Sequence, residues 1–408
     1  MKILMLAPQP FLEPRGTPLS VYQRLQALSV LGHEVDLVTY HIGQDVVISN
    51  LQIHRIPRVP FVKEVKVGPS WIKPLLDLLL FFLAFKLALR YRYDAVHSHE
   101  EAAFFAVFLA WLFNMRHIYD MHSSLPRQLD NFNFGNWWPL VRSFELLEQL
   151  VLNTCDAVIT IGTDLEQLVR SINPRVPLLT IENLPVTQEA TADSNTITQL
   201  KQRLLLHDAL PVVYTGTFEA YQGLDLLLES ARIVVEQNPK AHFLLVGGKT
   251  QQIAHWQEVA NQIGLNSHVQ FIGTVPIEEA VLYLDLAEVL VSPRTGGTSV
   301  PLKIYSYLQA GKALVATKLN SHMHVLNDEI AYLVEPTKEA LAEGILSLLG
   351  DNDLRTRLGQ QARLFAEEKY NFAAYTEKLQ RIYQLQLSPT TKVTDRTAVM
   401  AKKRPFLP

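Results

Sequence analysis

With 408 residues the chain is long enough for two domains. Its 37 Lys and Arg against 40 Asp and Glu leave a formal charge of -3, which excludes a nucleic-acid binder that works through bulk positive charge. A single cysteine, Cys155, excludes an intramolecular disulfide, argues against a cysteine-based metal cluster and fits a reducing, cytoplasmic setting.

The opening MKILMLAPQP carries too short an apolar run for a signal peptide, so residues 3–7 read as a buried strand. A loop over 8–17 follows, and Arg15-Gly16-Thr17-Pro18 leads into an amphipathic helix over 19–31 that Gly32 ends. Residues 33–39 make the second strand, which completes a βαβ unit with a glycine in its first turn. Residues 51–62 are a further β segment punctuated by Pro57 and Pro60.

Between Arg58 and Asp94 lie seven basic residues (Arg58, Lys63, Lys66, Lys73, Lys86, Arg90, Arg92) against three acidic ones (Glu64, Asp77, Asp94). Trp71 and an apolar helix over 75–89 sit among them. Asp77 and Lys86 interrupt that helix, so no spanning segment is expected. Cations, an aromatic and an apolar face suit peripheral contact with an anionic membrane through residues 58–95, on its inner face; a Leu-rich helix of this length also suits packing on a sheet, and the two are compatible.

Residues 94–99 form a strand ending in His97-Ser98-His99, a Phe- and Ala-rich helix spans 102–113, and residues 117–120 form a strand running into Met121-His122-Ser123-Ser124. Side chains at the carboxyl ends of parallel strands point into a cleft, which gives His122, with His99 beside it, more weight than an average histidine. Hydrogen-bonded packing at the strand ends is the alternative for both histidines. An aromatic loop (131–138), a helix (140–153) and a strand (156–161) follow. The first domain ends at 185, and the polar stretch 186–210 reads as a linker.

The second domain, 211–369, repeats the alternation of strands and helices. Its first strand ends at Gly216-Thr217, Gln222-Gly223 opens a helix, a strand ends at Gly247-Gly248-Lys249, and another at Gly273-Thr274-Val275. The stretch 291–317, VSPRTGGTSVPLKIYSYLQAGKALVAT, orders strand, glycine-bearing loop, helix and strand, a unit that offers free backbone N–H groups to an anion. Gly296 and Gly297 allow close approach, and Arg294 and Lys303 add cations on either side. A last helix covers 370–387, and residues 388–408 lack a periodic apolar face and are expected to be flexible.

These blocks resemble family-four (group 1) retaining glycosyltransferases. GKALVAT at 311–317 matches the family's "GxPVVAT", HEVDLVT at 33–39 its second strand, residues 94–99 its "DvvHaH" strand and residues 269–275 its "v.f.G.v" edge. The resemblance implies an α/β fold of two Rossmann-like parallel-sheet domains facing a cleft (GT-B), with the C-terminal helix crossing back to the first domain. It implies a metal-independent enzyme, with no cofactor, that moves a sugar from a nucleotide-sugar donor to a hydroxyl acceptor on a polysaccharide, glycolipid or similar molecule. The implied catalytic residues are His122 and Lys303. Gly16, Gly216, Thr217, Gln222, Gly248, Lys249, Gly273, Val275, Arg294, Gly296, Gly297, Thr298, Ser299, Val300, Leu302 and Ser306 would face the donor, and Arg15, Thr17, His99 and Ser123 the acceptor.

Four positions depart from the pattern. The family's Glu-x7-Glu pair falls on Thr298 and Ser306, and its diphosphate-clamping Arg and Lys on Thr217 and Gln222. Lys303, Arg294 and Lys249 are the cations able to replace the lost charge, and Glu219 or Glu182 the carboxylates. A degenerate scaffold that binds a sugar nucleotide or a partner protein without turnover is the second reading.

Overall fold

The computed structural model describes residues 1–13, 16–65, 70–127, 138–185, 193–297 and 300–385. Contacts group them into two compact units, one made of residues 1–13, 17–182 and the end of the chain from Tyr375, the other mainly of residues 183–374. The sequence expectations for Arg15, Lys66, the loop 131–137, Thr298, Ser299 and the tail 388–408 fall outside the described residues.

In the first unit β1 (Lys2–Ala7), β2 (Glu34–Thr39), β3 (Leu51–Arg55), β4 (Ala95–His99), β5 (Arg116–Met121), β6 (Ala157–Thr160) and β7 (Leu178–Thr180) form one sheet in the order β3-β2-β1-β4-β5-β6-β7, every pair parallel. Parallel strands are covered on both faces, which is why β1 and β4 are buried almost throughout. The helices are α1 (Gly16–Val30), α2 (Lys73–Arg90), α3 (Ala102–Phe113), α4 (Trp138–Thr154) and α5 (Thr163–Ile172). Helix α1 begins at Gly16 rather than at 19, so Gly16 is its first residue and not part of the preceding turn.

The second unit opens with α6 (Ser194–Arg203), inside the stretch read as a linker. Asp193 accepts a hydrogen bond from the Asn195 N–H, a side-chain cap that a reading based on the stretch's polarity overlooks. Strands β8 (Leu210–Thr215), β9 (Ala241–Val246), β10 (Val269–Gly273), β11 (Val289–Ser292), β12 (Ala313–Thr317) and β13 (Tyr332–Val334) pair in the parallel order β10-β9-β8-β11-β12-β13. Helices α7 (Leu224–Gln237), α8 (Thr250–Gln262), α9 (Ile277–Leu286), α10 (Leu302–Ala310), the short α11 (Asn320–Met323), α12 (Lys338–Gly350) and α13 (Asn352–Lys369) complete it.

The last helix, α14 (Phe372–Leu385), returns to the first unit. Tyr375, Leu379, Ile382 and Tyr383 form its buried face, at the i, i+4, i+7, i+8 spacing of one helical stripe. Lys378 on the same helix pairs with Glu182 at 2.7 Å, so Glu182 is engaged within the first unit and is no stand-in for a missing donor carboxylate.

Helix α2 buries Leu76, Leu80, Ala84, Leu87 and Ala88 and leaves Leu75, Leu78, Phe82 and Leu89 exposed. Helix α3, apolar all round, buries one side and exposes Phe108, Trp111 and Leu112. Phe81 meets Phe105 and Phe108 at ring-centroid distances of 5.7 and 6.2 Å, and Phe104 meets Phe144 at 5.8 Å, which ties α2, α3 and α4 side by side. The outward apolar face thus extends from the expected segment onto α3 and α4, where Leu146, Leu147 and Leu150 are also exposed. Lys73 does not join this face as a cation, because it pairs with Glu101 at 3.2 Å. No helix among the described residues is long and apolar enough to cross a membrane.

Candidate active site

Strands β8 and β11 are neighbours although β9 and β10 separate them in sequence, so the order of the second sheet reverses between them. Ligands of open parallel sheets bind beyond the carboxyl ends of strands at such a point. Gly216 and Thr217 follow β8, Arg294 follows β11, and α10 brings Lys303 to the same place. Tyr307, fully buried, anchors α10: its hydroxyl accepts a hydrogen bond from the Thr215 N–H at 2.7 Å.

Lys303 donates to the Gln222 amide oxygen at 3.1 Å, and its Nζ lies 3.9 Å from the centre of the Tyr214 ring. A Cβ on Gly216 would sit 3.4 Å from that Nζ. No carboxylate lies within ion-pair reach of Lys303 among the described residues. Burial, and then the nearby Arg294, hold its ammonium well below the ordinary lysine range. Arg294 is 6% exposed and stacks over Tyr221 with Cζ 5.1 Å from the ring centre. Burial lowers its pKa, while Tyr221 and Tyr214 oppose that shift.

Two glycines make this convergence possible. Gly223, at φ +74°, lets the 220–222 turn abut the loop after β11, for a Cβ there would stand 2.0 Å from the Pro293 carbonyl oxygen. The Thr295 N–H donates to the Tyr221 carbonyl at 3.1 Å and joins the same two segments. Gly297, at φ +97°, leaves room for the Arg294 guanidinium, whose Nη2 would lie 2.6 Å from an added Cβ.

The other expected donor residues fall along the same edge. The Tyr214 hydroxyl donates to the Thr217 carbonyl at 2.7 Å. At the ends of β9 and β10 the Gly247 N–H donates to the Gly273 carbonyl at 2.7 Å and Thr274 donates to the Gly248 carbonyl at 3.0 Å, with the half-buried Val275 next in sequence. Val300, Leu302 and Ser306 are half-buried, the last two on α10, and Gly296 is half-buried in the loop. Lys249 is exposed at the start of α8, where its backbone N–H donates to Gln252. His322, which sequence reasoning left unassigned, braces the strand ends: its Nδ1 lies 2.8 Å from the Thr317 carbonyl and its Nε2 2.9 Å from Ser292 Oγ. Thr317 in turn donates to the Arg294 carbonyl at 2.7 Å.

In the first unit, the parallel register pairs His99 with Asp120 and His97 with Ile118. The two-residue period of a strand then puts His97, His99 and Asp120 on one face, with His122 just beyond β5. His99 Nδ1 is 3.0 Å from His122 Nε2, and His122 Nε2 is 3.5 Å from Asp120 Oδ1. Arg24 of α1 donates from Nε to Asp120 Oδ2 at 2.7 Å, His97 Nε2 lies 3.3 Å from the same oxygen, and the Tyr383 hydroxyl lies 2.7 Å from His97 Nδ1. All are buried, His122 the least so at 5% exposed.

Burial would push the Asp120 carboxyl up, yet Arg24 and the histidines around it hold it well below the usual carboxylate range. Burial pushes His99 well below the usual histidine value and His122 down to about 4, against the pull of Asp120. His97, His99 and Asp120 bring ligand-type atoms within 4.8 Å of one another, but Arg24 already occupies the carboxylate, so the geometry reads as a hydrogen-bonded ion-pair network.

His99 is fully enclosed and cannot contact an acceptor; its place is behind His122. His122 Nδ1 has no protein partner among the described residues. Thr17 donates to Glu100 at 2.9 Å beside the ends of β1 and β4, where the order of this sheet reverses, and Ser123 is half-buried next to His122. Arg24, Asp120, His97 and Tyr383 are the residues that sequence reasoning missed.

The chain matches two family models, "Glycosyltransferase Family 4" over residues 14–183 and "Glycosyl transferases group 1" over residues 196–365. It is 28% identical over 191 residues to the phosphatidyl-myo-inositol mannosyltransferase of Mycobacterium tuberculosis, covering 45% of this chain and 49% of the relative. It is 24% identical over 314 residues to the D-inositol 3-phosphate glycosyltransferase of Corynebacterium urealyticum, covering 72% and 71%. The chain spans about half the length of most of these curated relatives. Its fold is shared with Anabaena Alr3699/HepE in complex with UDP and glucose (TM-score 0.74, 15% identity, 94% of this chain and 100% of that one). It is also shared with WaaG, a glycosyltransferase involved in lipopolysaccharide biosynthesis (TM-score 0.71, 12% identity, 95% and 100%). The two family matches lie one on each parallel-sheet unit and between them span most of the described chain, so the protein belongs to the family 4, group 1 glycosyltransferases.

Proposed function

We propose that the protein is a retaining glycosyltransferase that takes a nucleotide-sugar on its second unit and transfers the sugar to an acceptor hydroxyl bound by its first, without a metal. The observation that carries this reading is Lys303, a poorly hydrated cation held by an amide oxygen and an aromatic ring with no carboxylate beside it among the described residues. A half-buried charge without a counter-ion is poorly solvated, and a diphosphate relieves that on binding. Lys303 and Arg294 then stabilise the negative charge that develops on the departing diphosphate. His122, neutral around pH 7, offers Nδ1 to a sugar hydroxyl. In the retaining route the leaving group itself takes the acceptor's proton on the face it vacates, so no pair of carboxylates at glycosidase spacing is required.

The names of the curated relatives, a phosphatidyl-myo-inositol mannosyltransferase and a D-inositol 3-phosphate glycosyltransferase, support a lipid-borne or polar hydroxyl acceptor. The exposed apolar face of α2, α3 and α4, with Lys86, Arg90 and Arg92 exposed at one end of α2, supports peripheral contact with an anionic membrane. Purified protein mixed with UDP-, GDP- and ADP-sugars and a membrane lipid extract should release nucleotide only when donor and acceptor are both present. Ser306 standing where the family carries a carboxylate favours the second reading, a scaffold without turnover. Tight donor binding with no nucleotide release under any pairing would establish the scaffold and overturn the enzyme.

A further inference from the structure

We propose that Asp120 is a positioning residue for the transfer chemistry: it fixes the His122 ring in the tautomer whose Nδ1 is bare, so that His122 accepts a hydrogen bond from a sugar hydroxyl rather than donating one. The inference rests on the reading of His122 as a site residue given above.

The proton positions follow from which atoms can donate. Asp120 Oδ2, an ionised carboxylate oxygen beside Arg24, only accepts, so His97, 3.3 Å away, carries its proton on Nε2. His97 Nδ1 is then bare, and the Tyr383 hydroxyl donates to it across 2.7 Å. Asp120 Oδ1 accepts no hydrogen bond from the described residues and faces His122 Nε2 at 3.5 Å. The carboxylate lies 3.5 Å from His122 Nε2 and 3.8 Å from His99 Nδ1, so its charge favours the shared proton on His122 Nε2, donated to His99 Nδ1 at 3.0 Å, with the His99 proton on its enclosed Nε2. Nδ1 of His122, the nitrogen with no protein partner among the described residues, is left as an acceptor.

Among the described residues the groups facing His122 are few. They are Asp120 on β5, His97 and His99 on β4 and Arg24 on α1, with Tyr375 and Tyr383 of α14 behind them; the Tyr375 ring centre is 4.9 Å from Arg24 Cζ. Asp120 is the only carboxylate among them, so the choice of tautomer falls to it. Arg24 and the Tyr383–His97 pair orient the carboxylate, which makes the last helix a support of the site.

Asp120→Asn keeps the shape but turns one face of the carboxyl into a donor that forces the His122 proton onto Nδ1. The folded variant should lose about a hundredfold or more in kcat, keep its donor KM within about threefold, and recover at no pH, because titration cannot restore the tautomer. Because Arg24 loses its counter-ion in this variant, a second measurement on the native protein stands beside it. In histidine-labelled protein, with the His122 signals assigned through His122→Gln, nitrogen NMR should show a protonated Nε2 and a bare Nδ1 at pH 7. A protonated Nδ1 in the native protein, or a folded Asp120→Asn enzyme with kcat within threefold of native, overturns the inference. His122→Ala separates the two levels: if it abolishes turnover while Asp120→Asn does not, the role of His122 stands and that of Asp120 falls. Full activity of His122→Ala removes both.

Discussion

Lys303 Nζ rests 3.1 Å from the amide oxygen of Gln222, at the position where family members carry the cation that clamps the diphosphate. On the proposed function, Lys303 supplies the charge missing from position 222, delivered from α10 instead of from the turn before α7. Lys303→Gln should weaken donor binding about tenfold to a hundredfold, the size of a lost charge-assisted hydrogen bond. The exchange Gln222→Lys with Lys303→Gln moves the ammonium by about one hydrogen-bond length and should recover part of that affinity. Calorimetric titration of both variants with nucleotide-sugar checks this; equal losses in the single and exchanged proteins would mean that the cation's position, and not its presence, decides binding.

Gly223→Ala should damage the donor side without touching a ligand. A methyl group there would meet the Pro293 carbonyl, and φ +74° strains any other residue, so Gln222 and the loop carrying Arg294 must part. Donor affinity should drop about tenfold or more, with a stability loss of roughly 1–3 kcal/mol. Denaturant unfolding and donor titration on one sample separate the two effects, and an unchanged titration would count against the contact.

Acid should weaken the fold before carboxylates of ordinary pKa are protonated. His122 and His322 are buried, with folded values of about 4. Above the unfolded value near 6.5 both are neutral in either state; below it the unfolded chain takes up protons that the folded one refuses, so stability drains away between about pH 6.5 and 4. Each contributes up to about 3 kcal/mol over that window. Asp120, held below its ordinary value, adds a further loss as the pH falls beneath the carboxylate range. Urea midpoints from pH 7 to 4.5 should decline, and His322→Gln should flatten the slope; a level profile would show that these imidazoles are not kept neutral.

Phe82→Ser with Trp111→Ser should reduce sedimentation with phosphatidylglycerol-rich vesicles about tenfold or more, since each ring that enters the interface contributes on the order of 1–3 kcal/mol. Lys86→Glu with Arg90→Glu should abolish the preference for anionic over neutral vesicles. Binding insensitive to all four changes would place the membrane contact elsewhere.

The alternation of apolar strands with amphipathic helices made both parallel sheets legible, because buried parallel strands leave a continuous apolar signature. Arg294 and His122 stand out in the sequence because each follows a strand end, and Lys303 because it opens the helix after the glycine-bearing loop. The arrangement around them does not. That Lys303 reaches Gln222, 81 residues away, is a tertiary fact no spacing encodes. The buried ion pair left a local trace that went unread: Arg24 interrupts the apolar face formed by Val21, Leu25 and Leu28, and Asp120 stands in a strand otherwise built for burial. Two charges in positions that ought to be apolar call for each other. Helix α3, apolar on every side, gave no hint of which side faces out. The polarity of residues 194–203 concealed a helix whose buried contact is the single Leu200.

Because Tyr375, Leu379, Ile382 and Tyr383 are packed into the unit that contains Met1, that unit holds both the first and the last described residues of the chain. During synthesis it must wait, its histidines and Arg24 unsealed, while some 190 intervening residues emerge and the second unit folds ahead of it. The half that starts first finishes last, and a ribosome stalled short of α14 leaves an unclosed protein rather than a shorter one.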